Sequence, residues 1–256
     1  MIDARAIVAA DAEIADGVEI GPFTVIGSGV RIGAGSRIGP HAVIMGPTVL
    51  GRETRVFQFA SIGDAPQDKK YAGEPTKLVV GDRNVFREFC SINRGTVGGR
   101  GVTTIADDCL FMAYSHVAHD CIVGSHCILS NCTALAGHVE LGEWVILSGY
   151  AGVHQFCKVG AHAFLGNNAA VTRDVPPYLL VAGSPAEPKG VNSEGLKRRG
   201  FEATQIANIK SAYRVFYRSG LKRAEAEEQL RALVPTQPEL KPFVDFLLAS
   251  ERSIIR

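Results

Sequence analysis

The stretch IADDCLFMAYSHVAHDCIV, residues 105–123, sets Ile105, Phe111, Val117 and Val123 six residues apart. The spacing continues unbroken through Leu129, Leu135, Leu141, Leu147, Val153, Val159, Leu165 and Val171. A period of six is neither the 3.6 of an α-helix nor the 2 of a flat amphipathic strand. It is the hexapeptide signature of a parallel β-helix, where each hexad makes one short strand and a turn. The pattern starts at the N-terminus with Ile2, Val8, Ile14, Ile20, Ile26, Ile32, Ile38, Ile44, Leu50, Val56 and Ile62. In a chain that is 46% hydrophobic, eleven such positions in one chosen phase arise by chance roughly once in five thousand trials, so the fold class is mainly β. Glycine follows the aliphatic residue at 21, 27, 33, 39, 51 and 63, where a positive φ is expected to turn a tight corner.

The period lapses twice. Residues 64–78 are polar and hold two prolines, and residues 94–104 are rich in glycine. Both read as loops leaving the wall of the β-helix, and such loops in a regular scaffold often carry function. After Val171 the repeat ends at Pro176-Pro177, which cannot join a ladder. Helical patterns follow around 194–200, 204–219, 224–233 and 238–250. The chain therefore divides into a β-helix over 1–186, with insertions at about 64–78 and 94–104, and a helical domain over 187–256.

Residues 1–188 carry 14 basic and 18 acidic residues, net −4, whereas 189–256 carry 13 and 8, net +5. A basic helical appendage suits an acidic partner, with Lys189, Lys197, Arg198, Arg199 and Lys222 as the candidates. The overall charge of +1, without basic runs between aromatics, gives no sign of nucleic-acid binding. No segment reaches the ~20 apolar residues of a membrane span. The N-terminus shows no secretion signal, so a cytoplasmic location is expected. Cys90, Cys109, Cys121, Cys127, Cys132 and Cys157 then read as buried thiols, with no CxxC pair to hold a metal.

Three hexads make one coil, so residues 18 apart stack roughly 4.8 Å from each other. His119, Gly137 and Gln155 share a column, Asp120 and His138 the next, and Ala118, Ala136 and His154 the one before. A histidine with a glycine directly above it leaves space for a substrate. Histidine suits general-base work near neutral pH, and the Gly137 N–H suits a developing oxyanion. Together they specify acyl transfer without a covalent enzyme intermediate, a base-activated acceptor attacking a thioester. Asp120 can orient His119 only if the backbone turns there, because strand neighbours point to opposite faces. No nucleophile elbow or P-loop is present. Flat-sided prisms pack readily side by side, which makes a trimer the natural assembly.

The chain resembles, over essentially its whole length, the UDP-N-acetylglucosamine O-acyltransferases that begin lipid A synthesis in Gram-negative bacteria. The resemblance rests on Phe57-Gln-Phe-Ala-Ser-Ile-Gly63, Asp68-Lys-Lys-Tyr-Ala-Gly-Glu-Pro-Thr76, Asn93-Arg-Gly-Thr96, His116-Val-Ala-His-Asp-Cys121 and Leu135-Ala-Gly-His-Val139. Val153-His-Gln-Phe-Cys157, Asp174-Val-Pro-Pro-Tyr178 and Asn192-Ser-Glu-Gly-Leu-Lys-Arg-Arg-Gly-Phe201 extend it, the last lying outside the repeat. It implies a left-handed β-helix, an exception to the right-handed crossover rule. It also implies a homotrimer with sites between subunits. The donor is a (3R)-hydroxyacyl thioester on the phosphopantetheine of acyl carrier protein. The acceptor is the 3-hydroxyl of UDP-N-acetylglucosamine. No metal and no other cofactor are implied.

Carried over by motif, His119 is the base, Asp120 its partner and Gly137 the oxyanion donor. Asp68 and Lys70 meet the sugar or the acyl hydroxyl, and His116, His138, His154 and Gln155 line the site. Asn192, Glu194 and Arg198 hold the uridine diphosphate, and Asn167 stands where the family sets acyl length. A side chain there, in place of glycine, is expected to favour a shorter acyl chain. Asn93 replaces a histidine of the enteric relatives, which raises a 3-amino sugar nucleotide as the alternative acceptor. The sister N-acyltransferases usually carry an extra N-terminal domain, whereas here hexads begin at residue 2. A β-helical zinc carbonic anhydrase uses a wider histidine pair than His116 and His119. A non-catalytic β-helix does not account for the clustered histidines.

Overall fold

A computed structural model describes residues 1–256. The hexads form a left-handed parallel β-helix with three walls of nine, eight and ten strands. Most strands are two or three residues long, one per hexad, and every pairing within the repeat is parallel. The aliphatic residue of each hexad points inward and stacks on its equivalent in the next coil. One such column runs through Ile20, Ile38, Val56, Phe86, Phe111, Leu129, Leu147 and Leu165. Burying each of these side chains contributes ~1.5–3 kcal/mol. The largest of them, Phe86 and Phe111, stack inside the prism with centroids 4.8 Å apart. Ile2 lies at the N-terminal end of the stack and stays 47% exposed because no coil covers it, whereas Ile7, 67% exposed, is the outward neighbour of the inward Val8.

The expected role of the glycines that follow the aliphatic residue is corrected. Only Gly63, at φ 76°, takes a positive φ there. The others are small because coils approach closely: a Cβ on Gly33 would lie 2.6 Å from the Arg52 nitrogen. The positive φ falls two turn positions later, on the third residue after the aliphatic, at Phe23, His41, Phe59, Tyr114, Asp120 and His138 among others. Side chains at that position stack along the corners, as in the ladder Phe23, His41, Phe59, Phe89 and Tyr114. Five cysteines are buried, but Cys132 sits at such a corner with φ 60° and is half-exposed, which corrects its reading as a core thiol.

Both insertions leave the same corner, between the nine-stranded and eight-stranded walls. The first lies between strands Ser61–Asp64 and Lys77–Val80, the second between Ser91–Asn93 and Val102–Ile105. They occupy successive coils directly preceding the coil of His119. After the last coils come α1 (Ser193–Arg198), α2 (Ala203–Arg218), α3 (Arg223–Leu233) and α4 (Lys241–Ala249), with a 3₁₀ turn at Pro238–Leu240. Leu196, Ile209, Phe216, Leu230, Phe243 and Leu247 make their shared core. The C-terminal segment returns to the β-helix, where the buried Asp174 carboxylate accepts from Ser250 Oγ at 2.6 Å and from the Lys158 N–H at 2.9 Å.

Candidate active site

The turn after Val117 runs Ala118, His119, Asp120, and Asp120 adopts φ 60°. The backbone therefore does turn at this residue, and adjacent side chains that a strand would point apart come together. His119 Nδ1 lies 2.9 Å from Asp120 Oδ2. The columns read from the 18-residue spacing are realised: the His138 N–H donates to the His119 carbonyl at 3.0 Å, and the Phe156 N–H to the Gly137 carbonyl at 3.1 Å.

The space above His119 is not left open for a substrate, as expected from sequence, because the imidazole itself occupies it. A Cβ on Gly137 would sit 2.6 Å from His119 Cε1 and 2.7 Å from Nε2. The ring packs flat against the next coil, and only glycine permits it. The Gly137 N–H donates to no group of the chain. This freedom belongs to the turn position, the second after the aliphatic residue, where Pro22 and Pro40 fit for the same reason.

Asp120 is the most constrained group of the site. Its side chain is fully buried. The second insertion folds over it: Thr96 donates from its N–H at 3.1 Å and from Oγ1 at 2.6 Å, and Arg100 from its N–H at 2.9 Å. Gly99 completes the clamp, since a Cβ there would lie 2.4 Å from Asp120 Cγ and 2.6 Å from His138 Cε1. Burial alone would raise the Asp120 pKa. The donors of Thr96, His119 and Arg100 outweigh it and hold the carboxyl below its usual value. An ionised, acceptor-only Asp120 makes His119 Nδ1 the donor, which leaves Nε2 with its lone pair free.

The other histidines frame this pair. His138 meets the His119 ring edge-on at 5.0 Å and stacks on Phe156 at 4.3 Å. Burial lowers its pKa, against the raising charge of Asp120. His116 Nδ1 is 2.7 Å from Ser91 Oγ, and burial lowers its pKa as well. His119, Asp120 and His138 offer ligand atoms within 4.8 Å of one another, but both Asp120 oxygens already accept hydrogen bonds. Within the trio only His119 and Asp120 are hydrogen-bonded, and His138 Nε2 stays 3.9 Å from Asp120 Oδ2.

A cleft of about 650 Å³ opens along the nine-stranded wall beside His119. His116, His119, Gly137 and His154 line it, with Gln67 of the first insertion and Tyr150 and Asn168 at the opposite corner. Its floor is Ala118, Ala134, Ala136, Gly152 and Ala170. Asp68 is half-buried, caps the Lys70 N–H at 3.0 Å, and acts electrostatically on His138, while Lys70 is exposed. Gln155 is exposed, and its carbonyl accepts from Arg252 Nη1 at 2.9 Å.

Several expected residues stand apart from this cleft. Asn192 is buried, caps α1 through the Gly195 N–H, and donates to the His162 carbonyl at 2.9 Å. His162 belongs to a different corner, between the eight-stranded and ten-stranded walls, where it stacks with Trp144 and Tyr178. Glu194 and Arg198 follow on α1 and are exposed, and none of the three lines the His119 cleft. Asn167 is exposed, and its neighbour Asn168 is the one that lines the cleft. Asn93 is 4% exposed and donates to the Ala65 carbonyl at 3.1 Å, so it fastens the first insertion. Gly99, Arg100 and Ser91 are not singled out from sequence, and Thr96 enters there only as the end of the Asn93-Arg-Gly-Thr96 motif, without a role. The Gly98-Gly99 pair inside an insertion was the available signal for the clamp.

The stacked coils and their corner histidines define a transferase of the hexapeptide-repeat class, and the family described as bacterial transferase hexapeptide (six repeats) matches residues 103–137. A second family, described as Udp N-acetylglucosamine O-acyltransferase, Domain 2, matches 174–255. An acyl-[acyl-carrier-protein]–UDP-N-acetylglucosamine O-acyltransferase of Stenotrophomonas maltophilia is 54% identical over 256 residues, covering 100% of this chain and 97% of its own length. A protein of the same name from Thiobacillus denitrificans is 52% identical over 255 residues, covering 100% and 99%. The solved UDP-N-acetylglucosamine acyltransferase of Francisella novicida superposes with a TM-score of 0.98 at 44% identity, over 100% of this chain and 94% of that one. The chain belongs to the UDP-N-acetylglucosamine O-acyltransferase family, and it is an acyltransferase.

Proposed function

We propose that the protein transfers a (3R)-hydroxyacyl group from the phosphopantetheine of acyl carrier protein to the 3-hydroxyl of UDP-N-acetylglucosamine, the entry step of lipid A synthesis in the cytoplasm. His119 Nε2 takes the proton of the acceptor hydroxyl while Nδ1–H remains on Asp120. The oxygen attacks the thioester carbonyl, and the tetrahedral oxyanion accepts from the free Gly137 N–H. Collapse of the intermediate breaks the C–S bond. The departing thiolate recovers the proton from the His119 imidazolium, so an ester and a thiol leave a regenerated enzyme. No further cofactor enters these steps. One observation carries this chemistry: His119 is bonded through Nδ1 to a buried carboxylate that the second insertion holds ionised.

His116, His138, His154 and Gln155 flank the reacting groups, with Asp68 and Lys70 meeting the sugar or the acyl hydroxyl. Asn192, Glu194 and Arg198 hold the uridine diphosphate of a neighbouring subunit's site in a homotrimer. Their separation from His119 within one chain supports a site completed across the interface. Asn167, next to the cleft residue Asn168, limits acyl length. The basic helical unit faces the acidic carrier protein.

The test is transfer from a panel of (3R)-hydroxyacyl carrier proteins to UDP-N-acetylglucosamine and to its 3-amino counterpart, with His119→Ala alongside. The expected result is transfer to the hydroxyl by the parent and its loss in the mutant. Transfer only to the amine would reassign the acceptor, and an active His119→Ala protein would refute the base.

A further inference from the structure

A second cavity, of about 550 Å³, lies between the strand Glu187–Val191 and the C-terminal end of α2, and it shares no residue with the His119 cleft. Tyr213 and Tyr217, one helical turn apart, line it with their rings 4.9 Å from each other. Tyr213 is 9% exposed. Neither phenol oxygen has a hydrogen-bond partner in the chain, although both are buried. Leaving a buried hydroxyl unpaired costs ~1–3 kcal/mol, so two side by side call for a shared acceptor.

The remaining charged lining is mainly cationic. Lys189, Arg218 and Arg256 stand around the phenols, against one carboxylate, Glu187, which pairs with Lys189 at 2.9 Å. Neither Arg218 nor Arg256 has a carboxylate within ion-pair distance. The Arg256 guanidinium lies over the Phe216 ring, 5.4 Å from its centroid, and acts electrostatically on the Tyr217 hydroxyl. Burial pushes the Tyr217 phenol above its usual pKa, so it is a neutral donor at pH 7.

We propose that this cavity is a binding site for a phosphoryl group, held by the Tyr213 and Tyr217 hydroxyls, the Arg218 and Arg256 forks and Lys189. A phosphoryl group offers three acceptor oxygens and a charge of about −1.5 to −2 at pH 7, which matches two hydroxyl donors and the surplus of cations. A carboxylate has two oxygens and a single charge, and guanidinium forks pair well with phosphate. The site stands apart from the acyl-transfer chemistry and does not depend on it.

Inorganic phosphate is the probe, titrated calorimetrically into the full-length protein at constant ionic strength against chloride and acetate. The expected result is saturable phosphate binding that weakens at least about tenfold in Tyr217→Phe and in Arg218→Gln. The first keeps the ring and the second changes an exposed side chain, so both are expected to fold. Arg198→Gln, in the proposed nucleotide site, should leave this binding intact. Equal binding of acetate, or phosphate affinity unchanged in both cavity variants, would overturn the assignment, as would loss of binding only in Arg198→Gln.

Discussion

Gly137→Ala tests the packing on which the proposed base depends. The added methyl would lie 2.6 Å from His119 Cε1, 2.7 Å from Nε2 and 3.2 Å from Nδ1. Ordinary contact begins near 3.4 Å, so the ring must retreat by about 0.8 Å. It cannot retreat far without stretching the 2.9 Å bond to Asp120 Oδ2, because Thr96 and Arg100 hold that carboxylate still. A displacement near 1 Å at a reacting group costs roughly 10²-fold in rate, or about 2.7 kcal/mol of barrier. Gly137 is not at positive φ, so alanine is tolerated by the backbone.

Alanine also keeps the Gly137 N–H, so the oxyanion donor survives and the loss falls on the histidine. The expected outcome is a kcat about 10²-fold below the parent, a Tm within about 5 °C, and a Gly137→Ala/His119→Ala double variant no less active than His119→Ala alone. Steady-state acyl transfer and thermal unfolding measure all three. A Gly137→Ala protein with kcat within about threefold of the parent would refute the claim that ring position limits catalysis.

Asp120→Asn leaves one acceptor oxygen among the donors of His119, Thr96 and Arg100, and kcat should fall roughly 10²–10³-fold with ~1–3 kcal/mol lost in urea unfolding. Asn167→Gly should move the preferred acyl chain to greater length in a donor panel, and an unchanged preference would remove Asn167 as the limit. Mixing His119→Ala with Arg198→Ala subunits should restore about one quarter of the sites if each site draws on two chains of a trimer, whereas no recovery would place both residues in one chain's site. Burial, helped by the charge of Arg199, lowers the His162 pKa from 6.5 to about 4. Its neutral form therefore stabilises the fold above pH 6.5, and about 3 kcal/mol is lost as pH falls from 6.5 through 4. Urea unfolding across that range should show a shallower fall in His162→Gln.

The period of six was enough to read the β-helix and the 18-residue columns, because inward aliphatic residues must recur once per strand. Gly137 over His119 and His138 over Asp120 followed from that arithmetic. What periodicity hides is the backbone conformation inside the turn. The conspicuous glycines drew attention to the residue after the aliphatic, yet the left-handed conformation lies two residues further on, often at non-glycine residues such as Asp120. Those glycines answer to the neighbouring coil, a contact invisible in one hexad. The path of residues 94–101 was equally hidden, since an insertion has no repeat to fix its register.

That left-handed turn position explains how a structural repeat accommodates a catalytic group. Along one corner its side chains do no more than stack: Phe23, His41, Phe59 and Phe89 form a ladder there. Asp120, His138 and Phe156 occupy the same turn position on another corner, with φ 60°, 63° and 63°. Phe156 stacks on His138, and His138 meets His119 edge-on, so the ladder that stiffens a wall here fixes an imidazole. A carboxylate in an exposed ladder would be solvated and free to rotate. Asp120 becomes a fixed acceptor only because the insertion of the preceding coil closes over it with Thr96, Gly99 and Arg100. The repeat supplies the position, and the break in the repeat supplies the chemistry, which is why the irregular segment rather than the regular one distinguishes this corner from the other two.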